Sequence, residues 1–226
     1  MARPSNPLIA AVDLSDLAEA ERLGGALAGT VGHLKVGLEL FTAAGPPAVE
    51  RLGRHAPLFL DLKLHDIPTT VERAARNVGR LGTAMLTVHA LGGPAMVAAA
   101  VAGAERGAAD AGVEPPAIVA VTVLSSLAGE GLALPSSLAY EAVDAGARGV
   151  VVSGDDVRQV REVLGSGPLL IVPGIRPSAH PTNDHARVLS PGEALEAGAD
   201  HLVIGRPITG APDPAEAARA ILREIT

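Results

Sequence analysis

The chain has 226 residues, 48% hydrophobic and 19% charged, with a formal net charge of −7, and that acidic balance disfavours nucleic acid as a partner. It contains no cysteine, which removes disulfides, thiolate nucleophiles and Cys-based zinc sites, and only two Phe and one Tyr, so the core must come from Ala, Val, Leu and Ile. No apolar run approaches the ~20 residues that span a membrane, and MARPSNPLIAAVD lacks a signal peptide's long apolar region, so one compact cytoplasmic α/β domain over residues 1–226 is expected.

Short apolar runs alternate with helix-like stretches along the chain. Leu8 to Val12 reads as a strand that ends at Asp13, and His33 to Val36 as a second with Lys35 inside it. Leu58 to Leu62 is the third, followed by Met85 to Val88 before His89, Ala117 to Val121 before Thr122, and Gly149 to Val152 before Ser153. Leu169 to Val172 leads into Pro173 to Arg176, and His201 to Ile204 leads into Gly205 and Arg206. The intervals include helical patterns over Thr69 to Leu81, Pro94 to Ala111, Asp155 to Leu164 and Asp213 to Ile225. Eight such units predict a (β/α)8 TIM barrel, with a doubly wound open sheet as the competing architecture. A barrel gathers all the polar strand ends at one mouth, whereas an open sheet spreads them along an edge. Convergence favours the barrel.

Residues 58–70, LFLDLKLHDIPTT, carry charge where folding alone would not place it. Strand side chains alternate between faces, so Asp61 and Lys63 share one face and Leu60, Leu62 and Leu64 the other. Buried charges are costly unless paired, and even paired ones add little stability, which points to function. Lys35 on the neighbouring strand is within reach of Asp61, giving an alternating array Lys35, Asp61, Lys63, Asp66 that fixes an ammonium where a proton is needed. The plainer alternatives are an edge strand with one solvated face and an ion network that only joins strands.

The last two strand ends read as an anion site. Gly205 lets backbone approach a ligand, Arg206 can grip phosphate oxygens with two parallel bonds, and Arg176 adds a second guanidinium. Phosphate sites in such barrels are commonly built after strands seven and eight. The polar stretch PSAHPTNDHARVLS is long enough to close over a ligand. The bland alternative leaves Gly205 as a turn and Arg206 as a surface residue. His89 reads as a hydrogen-bonded strand-end residue rather than a metal ligand, and no HExxH, EF-hand, P-loop, dinucleotide fingerprint or serine elbow occurs.

The order LKVG, FLDLKLHDIPTTV, TVHALGG, VTVLSS, VPGIRP, VIGRPIT closely resembles the orotidine 5′-phosphate decarboxylase family from Asp13 to Thr209. The resemblance implies conversion of orotidine 5′-phosphate to UMP and CO2 in de novo pyrimidine synthesis, with no metal and no organic cofactor. Carried onto this chain, it makes Lys35, Asp61, Lys63 and Asp66 the catalytic set, with Lys63 as proton donor. It places Asp13 and Lys35 on the ribose hydroxyls and Thr122 near the pyrimidine. Ile67, Thr70 and Pro173 also join the substrate-binding set, with Arg176, Gly205 and Arg206 at the phosphate. It further implies a homodimer in which Asp66 and Thr70 reach into the partner's site. The family's loop glutamine is replaced by His185, through either a shifted register or His185 itself donating the bond. A metal-dependent 3-keto-6-phosphogulonate decarboxylase or hexulose-phosphate synthase shares the DxKxxD core and is the first alternative. A non-catalytic phosphate-ligand-binding barrel is the second.

Overall fold

In the computed structural model, which describes residues 4–123, 134–177 and 189–225, eight apolar runs pair side by side in chain order. They are β1 (Leu8–Val12), β2 (His33–Gly37), β3 (Leu58–Leu64), β4 (Met85–His89), β5 (Ala117–Val121), β6 (Gly149–Val151), β7 (Leu169–Pro173) and β8 (His201–Ile204). Every pairing is parallel, and β8 returns to β1 to close the barrel. The helices are α1 (Leu17–Leu27), α2 (Leu38–Ala44), α3 (Pro46–Leu52), α4 (Pro68–Gly79), α5 (Pro94–Ala111), α6 (Pro135–Asp144), α7 (Val157–Leu164), α8 (Pro191–Ala197), α9 (Arg206–Thr209) and α10 (Pro214–Glu224). The predicted (β/α)8 barrel is therefore the observed fold. The strands shift from their predicted ends by at most two residues. The helix expected from Asp155 begins instead with a 3-10 turn over Gly154–Asp156. The helix expected from Asp213 uses that residue as its cap, the carboxylate accepting the Glu216 N–H. Among the described residues no helix is long and apolar enough to cross a membrane.

Two apolar layers follow from strand alternation. Residues facing outward, such as Leu34, Leu60, Leu86, Val150 and Leu202, pack under the helices in the larger core. Those facing inward, Ile9, Ala11, Phe59, Met85, Val119, Ile171 and Val203, fill the barrel. Strand register puts Ala11, Lys35 and Phe59 at one height, with Gly37 and Asp61 one step nearer the mouth. The apolar filling thus becomes a floor with polar groups above it.

The opposite end of the barrel is closed by two histidines. The rings of His33 and His201 meet edge to face with centroids 5.1 Å apart. Burial, reinforced by His201, holds the His33 imidazole down at about 4, and burial also lowers His201 against the opposing pull of Asp200. Both therefore fold neutral while the unfolded chain protonates them near 6.5. The contribution of His33 is complete above that pH and is lost as pH falls through the window from 6.5 to about 4, and that of His201 is lost in the same direction. Discounted for partial exposure, the loss for His33 is about 2 kcal/mol at pH 4.5. Urea unfolding at pH 7.5 and 4.5 should show a smaller loss in His33→Leu than in the parent. Equal losses would mean that the ring protonates alike in both states.

α4 and α5 approach without intervening side chains. A β-carbon at Gly103 or Gly107 would overlap the carbonyl oxygens of Glu72 and Arg76, and one at Gly79 that of Ala104. Arg76 and Arg80 both donate to Asp110, and Arg106 to Glu72, across the same seam. The first turns of α4, which include Thr70 and follow directly on Asp66 and Ile67, are anchored by this contact.

Candidate active site

Three strand ends build a continuous chain of opposite charges. The Lys35 ammonium donates to Asp13 Oδ1 at 2.8 Å and lies 3.8 Å from Asp61 Oδ2. Lys63 Nζ donates to that same Asp61 oxygen at 2.6 Å. Lys35 is buried and the Asp61 side chain is only 13% exposed, so these two charges rely on their neighbours rather than water. Gly37 leaves room for this arrangement, because a β-carbon there would stand 3.0 Å from Lys35 Nζ and 3.3 Å from Asp13 Oδ1.

Lys63 reaches the array by an irregular route. β3 and β4 pair at Leu60↔Leu86 and again at Leu64↔Val88, so the register shifts between Leu60 and Leu64. At the shift Lys63 takes φ 50°, the only positive value of a non-glycine residue among those described. That conformation costs an L-residue about 1 kcal/mol. Asp61 and Lys63 do share a side, as alternation predicted, although the pairing of β3 with β4 is irregular where they stand. Thr87 on β4, not singled out by sequence, supports it: the hydroxyl accepts the Lys63 backbone N–H at 2.8 Å and donates to Asp61 Oδ1 at 2.9 Å.

Above the charged chain lies a cavity of about 230 Å³. Lys35, Asp61 and Lys63 form its polar side, and Phe59, Val121, Val151, Pro173 and Val203 its apolar walls. A cation held against apolar walls acts through a low local dielectric, where its field is stronger than in water. His89 stands beside this chain, its buried Nδ1 without a hydrogen-bond partner among the described residues, and its ring lies 5.3 Å from that of His65. Burial depresses its basicity, with His65 and Lys63 adding to the effect and Asp61 opposing it. Among the described residues no group of three or more His, Asp or Glu is placed to hold a metal ion.

The family model described as orotidine 5′-phosphate decarboxylase / HUMPS family matches residues 6–221. The chain belongs to that family. The orotidine 5′-phosphate decarboxylase of Anaeromyxobacter sp. (strain K) is 53% identical over 232 residues, spanning 97% of this chain and 98% of the relative. That of Paramagnetospirillum magneticum is 49% identical over 97% of this chain and 98% of its own. The crystal structure of the Lactobacillus acidophilus orotidine 5′-phosphate decarboxylase matches with a TM-score of 0.85 at 36% identity, covering 98% of this chain and 100% of that one. The chain is accordingly an enzyme, a carboxy-lyase, as its motifs implied.

Within the decarboxylase family framework, the remaining candidates fall in different places. Asp66 is not part of the charged chain: it is exposed, and its carboxylate accepts the Ile67 N–H at 2.7 Å. Asp13 extends the chain of charges at its other end, beside Lys35, and the place beside Lys63 expected of Asp66 is not filled by another carboxylate among the described residues of one chain. Ile67 is 66% exposed and Thr70 is exposed beside it. Thr122 is buried with its hydroxyl donating to the Val151 carbonyl at 3.1 Å, and its neighbours Val121 and Val123 line the cavity in its stead. Gly205 caps α9, and among the described residues a β-carbon there would meet only Ala11 Cβ, at 3.8 Å. Arg206 is exposed and Arg176 half-buried; neither side chain has a hydrogen bond or ion pair among the described residues. His185 lies outside those residues.

Proposed function

We propose that the enzyme converts orotidine 5′-phosphate to UMP and CO2 in de novo pyrimidine biosynthesis, as a cytoplasmic homodimer whose barrel domains share their active sites. The observation that carries this reading is the Asp13–Lys35–Asp61–Lys63 chain against an apolar cavity, in a barrel of the matching family. Losing CO2 from C6 of the pyrimidine leaves a carbanion that no neighbouring group delocalises well. A fixed ammonium stabilises that charge as it develops and then supplies the proton, so Lys63 serves both needs. Asp61 orients it, and Lys35 offsets Asp61 while offering, with Asp13, hydrogen-bonding groups to the ribose.

At the far end Arg206, Arg176 and the exposed backbone of Gly205 suit a dianionic phosphate, whose binding energy is spent on closing the site. Pro173 packs against the substrate in the wall and Thr122 buttresses it through Val151, while His185 is assigned to the phosphate from the loop. The shared site is supported by the exposed run Asp66, Ile67 and Thr70. Leu38 and Leu91, 52% and 42% exposed, add apolar surface beside Ile67's 66% at the ends of β2 and β4, on the same side of the barrel as the strand ends. Such a surface suits a second copy, into whose site Asp66 extends beside the partner's lysine.

The test is a UV assay for loss of orotidine 5′-phosphate after exhaustive chelation. Because Lys63 supplies the positive charge, turnover should be unchanged by EDTA. Activity abolished by EDTA and restored by Mg²⁺ would favour the metal-dependent sugar-phosphate branch; no turnover under either condition would favour a binding protein.

A further inference from the structure

We propose that Thr87 is a positioning residue for the decarboxylation, its one hydroxyl aiming the Lys63 ammonium by holding both that residue's backbone and the carboxylate it pairs with. The inference rests on the reading of Lys63 as proton donor. Thr87 is fully buried on the inner face of β4, opposite Val119. A hydroxyl has one proton to give and lone pairs to receive. Here the lone pair takes the Lys63 N–H at 2.8 Å, and the proton goes to Asp61 Oδ1 at 2.9 Å. Asp61 Oδ2 in turn accepts from Lys63 Nζ at 2.6 Å. The four groups close a ring that begins at the lysine's backbone and ends at its tip.

The ring sits where the β3–β4 pairing is irregular and Lys63 holds its positive φ. A conformation of that kind persists only where its surroundings over-determine it. Without the hydroxyl, the Lys63 amide loses this acceptor and Asp61 one of its donors, and nothing else described ties the backbone of Lys63 to the carboxylate that orients its ammonium. Sequence gives the residue little prominence: it is one hydroxyl inside the run MLTVH.

Two substitutions separate positioning from packing. Thr87→Val keeps the shape and deletes the hydroxyl, whereas Thr87→Ser keeps the hydroxyl and deletes a buried methyl group. A packing role predicts that serine is the worse of the two; a positioning role predicts the reverse. For the orotidine 5′-phosphate reaction, Thr87→Val should lower kcat about 100-fold with KM changed by less than about threefold, and Thr87→Ser should stay within about fivefold of the parent. Hydrogen exchange at the Lys63 amide, read by NMR without substrate, should accelerate in Thr87→Val and not in Thr87→Ser. If valine is not accommodated, Thr87→Ala removes the same hydroxyl, and lost kcat with alanine beside retained kcat with serine is the same result. Parental kcat in Thr87→Val, a weaker Thr87→Ser, or equal amide exchange in all variants would overturn the proposal. Should the parent fail to decarboxylate the nucleotide, the functional reading falls, and the exchange comparison still decides whether Thr87 holds Lys63.

Discussion

Mixing two inactive homodimers, Lys63→Ala and Asp66→Ala, should restore about a quarter of parental activity. Lys63→Ala removes both the electrostatic partner of the carbanion and its proton source, so kcat/KM should fall by at least roughly 10⁴-fold. Asp66→Ala should be similarly impaired if the carboxylate, which has no ion pair among the described residues of its own chain, completes the partner's site. In a hybrid, one site inherits both defects and the other neither. Random exchange makes half the dimers hybrids with one sound site of two, which gives the quarter. Exchange verified by mass spectrometry without any recovery would show that Asp66 serves its own chain.

Arg206→Ala should lower kcat/KM for orotidine 5′-phosphate by roughly 100-fold, the loss expected for a charge-assisted bidentate contact. The side chain is exposed and has no hydrogen bond or ion pair among the described residues, so the barrel itself should keep its melting temperature. Guanidinium ion added in solution should recover part of the loss by occupying the vacated place, and orotidine lacking the phosphate should be used equally by parent and variant. An unchanged kcat/KM would remove Arg206 from the phosphate site, and a lowered melting temperature would assign it to the fold.

The barrel was legible because each strand announces itself twice, by a short apolar run and by the polar residue that ends it. Lys35, Asp61 and Lys63 were legible for a related reason, since charges inside apolar runs have no cheap structural explanation. What stayed hidden depends on more than period. Alternation says that Asp61 and Lys63 share a face, yet nothing in LDLKL announces the register shift or the positive φ at Lys63. Thr122 reads as a free polar strand end, but its hydroxyl is occupied by a carbonyl of the neighbouring strand, a pairing that only register reveals. Gly103 and Gly107 look like weak points of a helix until α4 lies against them. Asp66 is seen in sequence as the last member of an array, but among the described residues of its own chain its carboxylate meets only the Ile67 N–H rather than Lys63.

The conformation of Lys63 also bears on how this protein would respond to selection. Were folding the only requirement, glycine would suit position 63, where φ is 50°, and a neutral side chain would suit position 61, freed from holding a charge out of water. The barrel instead keeps a strained lysine and a largely buried carboxylate side by side, and so stands below the stability its architecture permits. Variants enriched for heat resistance alone would drift at these two positions first, and the most robust of them would be barrels that no longer catalyse.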